Sequence, residues 1–596
     1  MFPRYRWQES DVAEAEVNQI AEELCLPLPI ARILIARGIK TPRQITDFLN
    51  PDLMTQLGHP YLFPGAQAAA EKLWHAIHEK QDIVVYGDFD ADGVAAAAVL
   101  TQALKRFGAQ VETFLPLRDP EGYGLTLKAL ERCQCHRGNK WPDLLITVDC
   151  GITAVAEVAY LIEQGVEVII TDHHECGKEL PKNVVIVNPK YATTPGAEAL
   201  CGAGVAFKVV HAMAELSKTH TWYQGAPFCS ELLTLVGLAT VTDIVPLVGE
   251  NRLFVATALR NWNHWAGEGL QALLARASIR LQAGAMDATL FGFVLGPRLN
   301  AAGRMGSAMT AYELLTTCNQ QEAAELAAQL EKMNGERRGV ESRMLAAALQ
   351  QCGLDNTEVV FDQPAVVVAS EGTHAGTTGW HPGVSGIVAA RLSEQTARPA
   401  AVITLNEQGE GRGSVRAGTG YHALEALQAA QETLDGFGGH EHAAGFTVKP
   451  GCFERFRTLF CEACARQVQT GVDALELGVD GWLTADQVSL AFYAEQQKLA
   501  PFGHGNQMPR WGLRGVIIKQ VRSVGASGDH LQFQFGLENG QCVRGIWFRQ
   551  GAAIEELHAQ AQSKVDLVCE LHRSDFGSEP QAELRVVDLA VAAVCC

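Results

Sequence analysis

The chain has 596 residues and a formal net charge of -19, and hydrophobic residues make up 47% of it. This length is too great for a single hydrophobic core and predicts three or four domains. No apolar run reaches about 18 residues, so no transmembrane helix is expected. The 16 cysteines are scattered, which indicates reduced thiols and a cytoplasmic location. The acidic charge disfavours non-specific adhesion to nucleic acid but does not exclude a local basic groove.

The first half of the chain is predicted to contain a helical segment followed by an α/β domain. Residues 1–60 form the predicted N-terminal helical segment, and residues 61–315 the domain. Short apolar runs alternate there with helical patterns, which is typical of βαβ units and a parallel sheet. The predicted strands are Asp82–Tyr86, Val111–Leu115, Leu144–Val148, Val166–Ile170 and Val184–Val187.

Three further units are predicted in the second half. The Ala-rich, charge-laced stretch within 316–355 is typical of one long connecting helix. A second, smaller α/β domain is expected over 356–470, because strand patterns and Gly-rich turns resume there. Short strand-like runs then fill 471–596, which indicates a small β-barrel.

The stretch YGDFDADGV at 86–94 places three aspartates directly behind the first predicted strand. Its D-x-D-x-D-G pattern opens an EF-hand calcium loop, but such a loop needs a glutamate at position 12 and a helix before it. Val99 occupies that position and a strand precedes the loop. An EF-hand is therefore excluded.

Asp149 and the triplet Asp172-His173-His174 also follow predicted strands, and Asp243 follows a helix-like segment that could fold back over them. In parallel sheets, ligands bind beyond the carboxyl ends of the strands, so these residues are expected to meet at one edge. Individually, Asp149 could cap a turn and His173 could be a buried core histidine. Jointly, clustered carboxylates and imidazoles favour Mg²⁺ or Mn²⁺, and two such ions can catalyse phosphoryl chemistry. The candidates are Asp88, Asp90, Asp92, Asp149, Asp172, His173, His174 and Asp243.

Several motifs resemble the DHH phosphoesterase superfamily. Its four signatures match GDFDADG, VDCG, TDHH and TDIVPL, in this order along the chain. Motifs beyond them resemble the RecJ-type branch, whose members are single-strand-specific DNA exonucleases. Those motifs are EGYGL at 121–125, GPRLNAAGRMGSA at 296–308, HPGVSGIVAARL at 381–392, GGHEHAAGF at 438–446 and APFGHGNQMP at 500–509.

The resemblance implies a fold, a reaction and two metal sites. The fold is α/β, with a DHH catalytic domain, a DHH-associated substrate domain and an OB-like barrel that binds nucleic acid. The reaction is hydrolysis of single-stranded DNA from its 5′ end to mononucleotides, in repair and recombination. Asp92, Asp149, His173 and Asp243 would bind one Mn²⁺ or Mg²⁺ ion. Asp88, Asp90 and the shared Asp149 would bind the other.

The resemblance also implies roles for neighbouring residues. Asp172 would orient an imidazole, and His174 would polarise a neighbour or contact the scissile phosphate. Tyr86 stands where many superfamily members have a histidine, so the second metal site departs from that pattern.

Substrate contacts are expected in the cleft between the two α/β domains. Glycines frame Ser414 and Arg416, and the HPGV motif can present backbone N–H groups at a helix start. Guanidinium groups can clamp phosphates there or form interdomain salt bridges instead. The predicted contacts are Arg118, Tyr123, Arg298, Arg304, His381, Ser414, Arg416, Gly439 and His440.

Two alternative functions remain open from the sequence. A phosphodiesterase of short oligonucleotides or cyclic dinucleotides would use the same chemistry, although it would not need the barrel. A non-catalytic DNA-binding scaffold would not need mutually repelling carboxylates. Single-stranded DNA is the expected partner, with single-strand-binding protein and a DNA helicase as further candidates.

Overall fold

The structure is a computed structural model whose described residues form three units, two of α/β type and one of β type. It describes residues 4–191, 194, 196–218, 229–279, 286–354, 361–370, 380–418, 420–467, 476–525, 528–559, 562–576 and 579–591. A five-stranded parallel sheet lies at the centre of the first domain, which confirms the predicted sheet. Its strands, in spatial order, are Gln110–Phe114, Asp82–Tyr86, Leu144–Val148, Glu167–Thr171 and Val185–Val187.

Helices cover both faces of this sheet. Ile83 and Val85 pack into the core on one face, and Val84 and Tyr86 pack into the core on the other. Burial on both sides explains why the strand is continuously apolar. The α-helices of the domain are Ala66–His78, Ala91–Arg106, Arg118–Glu121, Leu127–His136, Val155–Glu163, Gly202–Ser217, Leu233–Thr242, Gly249–Trp265, Glu268–Arg276, Ala288–Leu290, Gly296–Met305 and Met309–Thr316.

One helix of 32 residues, Gln320–Gln351, connects the two α/β domains and continues through Gly335. Its first half packs against the first domain, where Leu326 and Leu330 join the core. Its second half packs against the second domain, where Met344 and Ala348 are buried. Within the described residues, none of the helices is both long and apolar enough to cross a membrane.

The second α/β domain contains a mixed five-stranded sheet. The strands run Leu434–Gly439, Ala443–Val448, Gly411–Arg416, Ala400–Leu405 and Val366–Ala369 in spatial order, and only the last pair is parallel. The helices are Pro382–Thr396, Ala423–Ala429 and Phe453–Gln467.

The C-terminal strands close into a barrel, as predicted. Trp511–Val524 pairs with both His530–Gly536 and Lys564–Ser574, and this double pairing closes the sheet. Phe533, Phe535 and Trp547 are at most 3% exposed and fill the interior. The other strands are Gly481–Trp482, Cys542–Trp547 and Gln581–Val591, and the helices are Leu490–Gln497 and Ile554–Ala559.

The N-terminal segment packs against this barrel and shares its core. Ile30 and Ile33 lie in one apolar cluster with Trp511 and Leu513. The strand Arg6–Glu9 pairs in parallel with Glu476–Val479. The domain boundaries proposed from the sequence treat this segment as separate, and they stay a prediction. Its helices are Glu14–Leu24, Leu28–Ala36, Pro42–Leu49 and Leu53–Gln56.

Candidate metal centre and substrate cleft

The candidate metal ligands meet at the carboxyl edge of the parallel sheet. Asp149 directly follows the strand Leu144–Val148, and its backbone N–H donates to the carbonyl oxygen of Thr171 on the next strand at 3.0 Å. Its φ of 62° lies in the left-handed region, which aspartate tolerates better than most residues. This turn aims the buried Asp149 side chain into the centre of the site.

One ligand group surrounds the imidazole of His173. Its Nε2 atom lies 3.1 Å from Asp149 Oδ1, 3.7 Å from Asp243 Oδ2 and 3.9 Å from Asp92 Oδ2. Asp243 ends the helix Leu233–Thr242, so a helical segment brings the fourth ligand over the sheet edge. These four residues are the set expected for the first metal.

A second ligand group contains Asp88, Asp90 and Asp149, and one carboxylate oxygen from each lies within 4.8 Å of the other two. Asp90 also caps the helix Ala91–Arg106, since its Oδ1 accepts from the backbone N–H of Asp92 and Gly93 at 3.0 Å. Asp149 belongs to both groups. The two predicted sets therefore lie side by side and share one carboxylate.

Asp92 is held by a helix start that the sequence analysis did not single out. The backbone N–H groups of Gly202 and Ala203 donate to its two carboxylate oxygens at 2.7 and 2.8 Å. A Cβ at Gly202 would lie 2.5 Å from the Cβ of Asp149, so only glycine allows this close approach. The helix N-terminus thus stabilises the charge on Asp92 and fixes its orientation. The small-residue run CGAG at 201–204 was the available signal.

Burial and mutual repulsion oppose ionisation of the cluster. Burial, followed by repulsion from Asp90, raises the pKa of Asp88 to about 8 and that of Asp92 to about 7. Burial and the charge of Asp92 raise the pKa of Asp243 to about 9, and the same two causes raise the pKa of Asp149. A bound cation would remove this penalty.

His174 belongs to a hydrogen-bonded chain beside the ligands. Its Nδ1 atom lies 2.8 Å from Asp172 Oδ1, and its Nε2 atom lies 2.9 Å from the hydroxyl of Tyr123. Asp172 also accepts from the backbone N–H of His173 and of Ile152, so its carboxylate is fully engaged. Although burial disfavours the imidazolium, the bond to Asp172 raises the pKa of His174. Asp172 therefore orients an imidazole, as the resemblance implies.

The residues present fit divalent metal ions. Asp88 Oδ1 and Asp149 Oδ1 are buried and have no hydrogen-bond partner within the protein. Buried carboxylate oxygens without partners are costly unless a cation binds them. The donor set is carboxylate oxygen with one imidazole nitrogen, and this composition suits Mn²⁺ or Mg²⁺.

Tyr86 has a structural role. It is fully buried, and its hydroxyl donates to the carbonyl oxygen of Gly124 at 2.9 Å. The hydroxyl therefore braces the EGYGL loop that carries Tyr123. Asp88, Asp90 and Asp149 form the second ligand group without a residue at position 86.

A cavity of about 640 Å³ lies between the two α/β domains, next to the metal centre. Arg118 lies over the ring of Phe89 at 4.0 Å and donates to the carbonyl oxygen of Gly303. Arg304 donates to the carbonyl oxygen of Gly383 across the cleft at 2.9 Å. Two guanidinium groups thus face one pocket, which is suited to phosphate. The predicted contacts that line it are Arg118, Tyr123, Arg304, His381 and Ser414.

Arg412 also lines this cleft and was missed by the sequence analysis. Its Nη1 atom donates to Asp119 Oδ1 of the first domain at 2.9 Å, so the pair spans the cleft. Arg412 lies in the GRGSVRAG stretch, two residues before Ser414. Glycine spacing in this stretch indicated Arg416 instead.

The remaining predicted contacts do not line the cavity. Arg298 pairs with Glu331 of the connecting helix, which matches the salt-bridge alternative. Arg416 bonds the carbonyl oxygen of Val415, and its pKa is lowered by burial and by nearby Arg118. Gly439 and His440 lie at the turn of a hairpin. Burial and the charge of His174 are the main causes that lower the pKa of His173 to about 3, and His440 adds a smaller contribution. Their substrate roles stay predictions.

Carboxylates and an imidazole at one sheet edge, facing a cationic cleft, define the centre of a metal-dependent phosphoesterase. Family models agree with this class. Residues 82–240 match the DHH family N-terminal domain, 363–466 the DHHA1 domain and 479–588 the RecJ OB domain.

Comparison with known proteins identifies the particular family. The single-stranded-DNA-specific exonuclease RecJ of Bacillus subtilis is 34% identical over 597 residues, which cover 99% of this chain and 71% of that protein. RecJ of Thermus thermophilus in complex with Mn²⁺ superposes with a TM-score of 0.81 at 31% identity, covering 98% of this chain and 80% of that one. The complex of the same protein with Mg²⁺ superposes with a TM-score of 0.74 at 28% identity, covering 98% of this chain and 78% of that one. The chain belongs to the RecJ family of single-stranded-DNA-specific exonucleases.

Proposed function

We propose that this chain is a metal-dependent exonuclease that hydrolyses single-stranded DNA to mononucleotides. The observation that carries the proposal is the pair of ligand groups sharing Asp149, placed where a cationic cleft opens between two domains. Family membership supports the same activity. The RecJ-type resemblance further supports cleavage from the 5′ end.

The proposed reaction needs a nucleophile, charge stabilisation and a positioned phosphate. Divalent ions held by Asp88, Asp90, Asp92, Asp149, His173 and Asp243 would activate water and offset charge on the phosphoryl group. Arg118 and Arg304 face the cleft and can bind phosphate oxygens by charge-assisted hydrogen bonds.

His174 is proposed to act on the substrate rather than on the metal. Asp172 fixes one side of the ring, and the other side faces the Tyr123 hydroxyl. The raised pKa of His174 favours the imidazolium, which attracts a phosphate and has a proton at Nε2 to donate. Tyr123 is 55% exposed, so substrate can reach this pair.

The barrel favours a long strand over the alternative of short oligonucleotides or cyclic dinucleotides. Cavities of about 300–1,000 Å³ suit small ligands, so the cleft alone would serve either substrate. The closed barrel adds a nucleic-acid-binding fold that a small substrate does not require. The complete ligand set disfavours the scaffold alternative, because it repels itself without a cation.

Cellular partners follow from the substrate. Single strands arise where a duplex is unwound, so a DNA helicase is a proposed supplier and single-strand-binding protein a proposed competitor or partner. We place the reaction in DNA repair and recombination in the cytoplasm. The described cysteines are all free thiols, which is compatible with a reducing compartment.

Digestion of end-labelled oligonucleotides tests the proposal. Single-stranded and duplex forms, labelled at either end, are incubated with Mn²⁺, Mg²⁺ or EDTA. We expect metal-dependent release of labelled mononucleotide from the 5′ end of the single strand, with no release in EDTA. Equal cleavage of duplex, or turnover in EDTA, would contradict the proposal.

A further inference from the structure

An exposed apolar surface borders the metal centre. Ile244 directly follows Asp243 and is 69% exposed, and Phe293 is 79% exposed. Neither side chain lies in a hydrophobic cluster of the described residues. We call these two residues the apolar rim.

The two residues extend from one packed contact. The end of the helix Leu233–Thr242 lies against the turn Phe291–Leu295 and the glycine after it. A Cβ at Gly296 would lie 2.3 Å from the Cγ2 atom of Thr242. Phe291 and Leu295 are fully buried, which anchors the turn and leaves Phe293 facing outward.

The backbone of Ile244 is strained. Its φ of 59° lies in the left-handed region, just after a helix end where glycine is the usual residue. A β-branched residue is a genuine outlier there and adopts this conformation only at a cost in free energy. Because the side chain is exposed, packing in the core does not offset this cost. Strain combined with exposure at a candidate metal ligand indicates binding rather than folding.

Arg304 lies between the cleft and this surface, whereas the charge of neighbouring Arg337 is paired with Glu341 at 2.7 Å. A groove of about 170 Å³ lies beside Thr242 and Gly292, and Arg304 and Arg337 line it. Arg304 lines the main cleft as well, so the groove extends the proposed substrate path. A cationic groove beside exposed aromatic rings is the usual arrangement for binding single strands without sequence preference, and Phe293 supplies such a ring.

We propose that Ile244 and Phe293 form a platform on which a nucleobase of the single strand stacks, next to the phosphate at the metal centre. The inference rests on the proposed function and assigns its base-binding subsite. Stacking on an apolar platform needs no base-specific hydrogen bond, so the subsite is expected to accept all four bases.

Two substitutions separate this role from folding. Ile244→Gly relieves the strained backbone while it removes the platform, so its melting temperature should equal or exceed that of the wild type. Phe293→Ala removes a side chain that is mostly exposed and should leave the melting temperature unchanged. For each variant we expect KM for a single-stranded oligonucleotide to rise roughly tenfold. Met54→Ala, at an 85% exposed residue of the N-terminal segment, is the matched control.

Abasic oligonucleotides identify the contact as stacking. Removing the bases near the 5′ end should raise KM of the wild type and should add no further increase in either variant. Unchanged KM in both variants, or fully additive abasic effects, would overturn the platform even if the wild type is an active exonuclease. A wild type that cleaves no single strand under any metal condition would instead refute the proposed function. In that case, fluorescence anisotropy with metal-free protein tests the platform by measuring affinity for the single-stranded oligonucleotide. Both variants are expected to show the same losses of affinity without turnover.

Discussion

The backbone N–H of Leu247 donates to the carbonyl oxygen of His504 at 2.7 Å, joining the loop after Asp243 to the barrel domain. Gly505 allows this close contact because it has no Cβ, which would lie 2.9 Å from the Cβ of Pro246. The APFGHGNQMP motif thus braces a loop that carries a candidate metal ligand. The barrel domain, which is proposed to bind the strand, is therefore in direct contact with a loop of the metal centre.

Asn506 is expected to position this brace. It is buried, and its Nδ2 donates to the carbonyl oxygens of Leu499 and Pro501 at 2.9 and 2.7 Å. Asn506→Ala removes one of the two donors from each carbonyl oxygen, and Arg252 remains as the other donor. We expect the Mn²⁺ concentration for half-maximal rate to rise several-fold while KM for DNA changes less. Asn539→Ala, at an exposed residue of the same domain, is the control, and equal effects of both variants would refute the positioning role.

Arg252 is expected to hold three units together. This buried residue of the first domain donates to the carbonyl oxygens of Leu499, Ala500 and Phe48 at 3.0, 2.8 and 3.1 Å. Lysine cannot reproduce the forked geometry, so Arg252→Lys should lower the free energy of unfolding by about 2 kcal/mol. Urea unfolding measures the change. Arg43→Lys, at a side chain that is 92% exposed, should leave stability unchanged.

Arg412 is expected to contact the strand. Its pair with Asp119 is about half exposed, so the pair should contribute little to stability. Arg412→Gln should raise KM for single-stranded DNA about fivefold and reduce the salt dependence of binding by about one phosphate contact. The control is Arg455→Gln, which breaks an exposed pair with Glu432 in the same domain but away from the cleft. Identical salt slopes for the two variants would argue against the contact.

Metal binding is expected to strengthen with pH. The pKa values of Asp92, Asp88 and Asp243 rise from 3.8 to about 7, 8 and 9, so the folded, metal-free protein binds protons more tightly than the unfolded chain. Its free energy of unfolding therefore falls as pH increases through this window. Mg²⁺ replaces those protons, so the rise in melting temperature on adding Mg²⁺ should be larger near pH 8 than near pH 6. A shift independent of pH would contradict the shared, proton-binding cluster.

The sheet and the clustering of the candidate metal ligands were predictable from the sequence because both follow from local patterns. Buried parallel strands are continuous apolar runs, and parallel topology places the residues after them at one edge. Asp88 and Asp149 could therefore be assigned to one site without knowledge of the packing. The barrel was predicted for the same reason, from short alternating runs.

Contacts between distant segments could not be predicted in this way. The small-residue run around Gly202 allows a close approach but does not show that its N–H faces Asp92, and Arg298 and Arg412 are equivalent as isolated arginines. The docking of the N-terminal segment on the barrel depends on which apolar faces meet. Such pairings are decided by tertiary packing rather than by propensity or spacing.

Asp149 is the residue on which the two-site account depends, because it contacts His173 of the first ligand group and belongs to the second group. The most direct test is titration of the metal-free protein with Mn²⁺ by calorimetry, for the wild type and Asp149→Asn. Asp435→Asn, at an exposed aspartate, is the control. We expect two ions per wild-type and control chain, with weaker binding at both sites and about a 1,000-fold lower rate of nucleotide release in Asp149→Asn. Two tightly bound ions and substantial turnover in Asp149→Asn would contradict the shared-ligand centre.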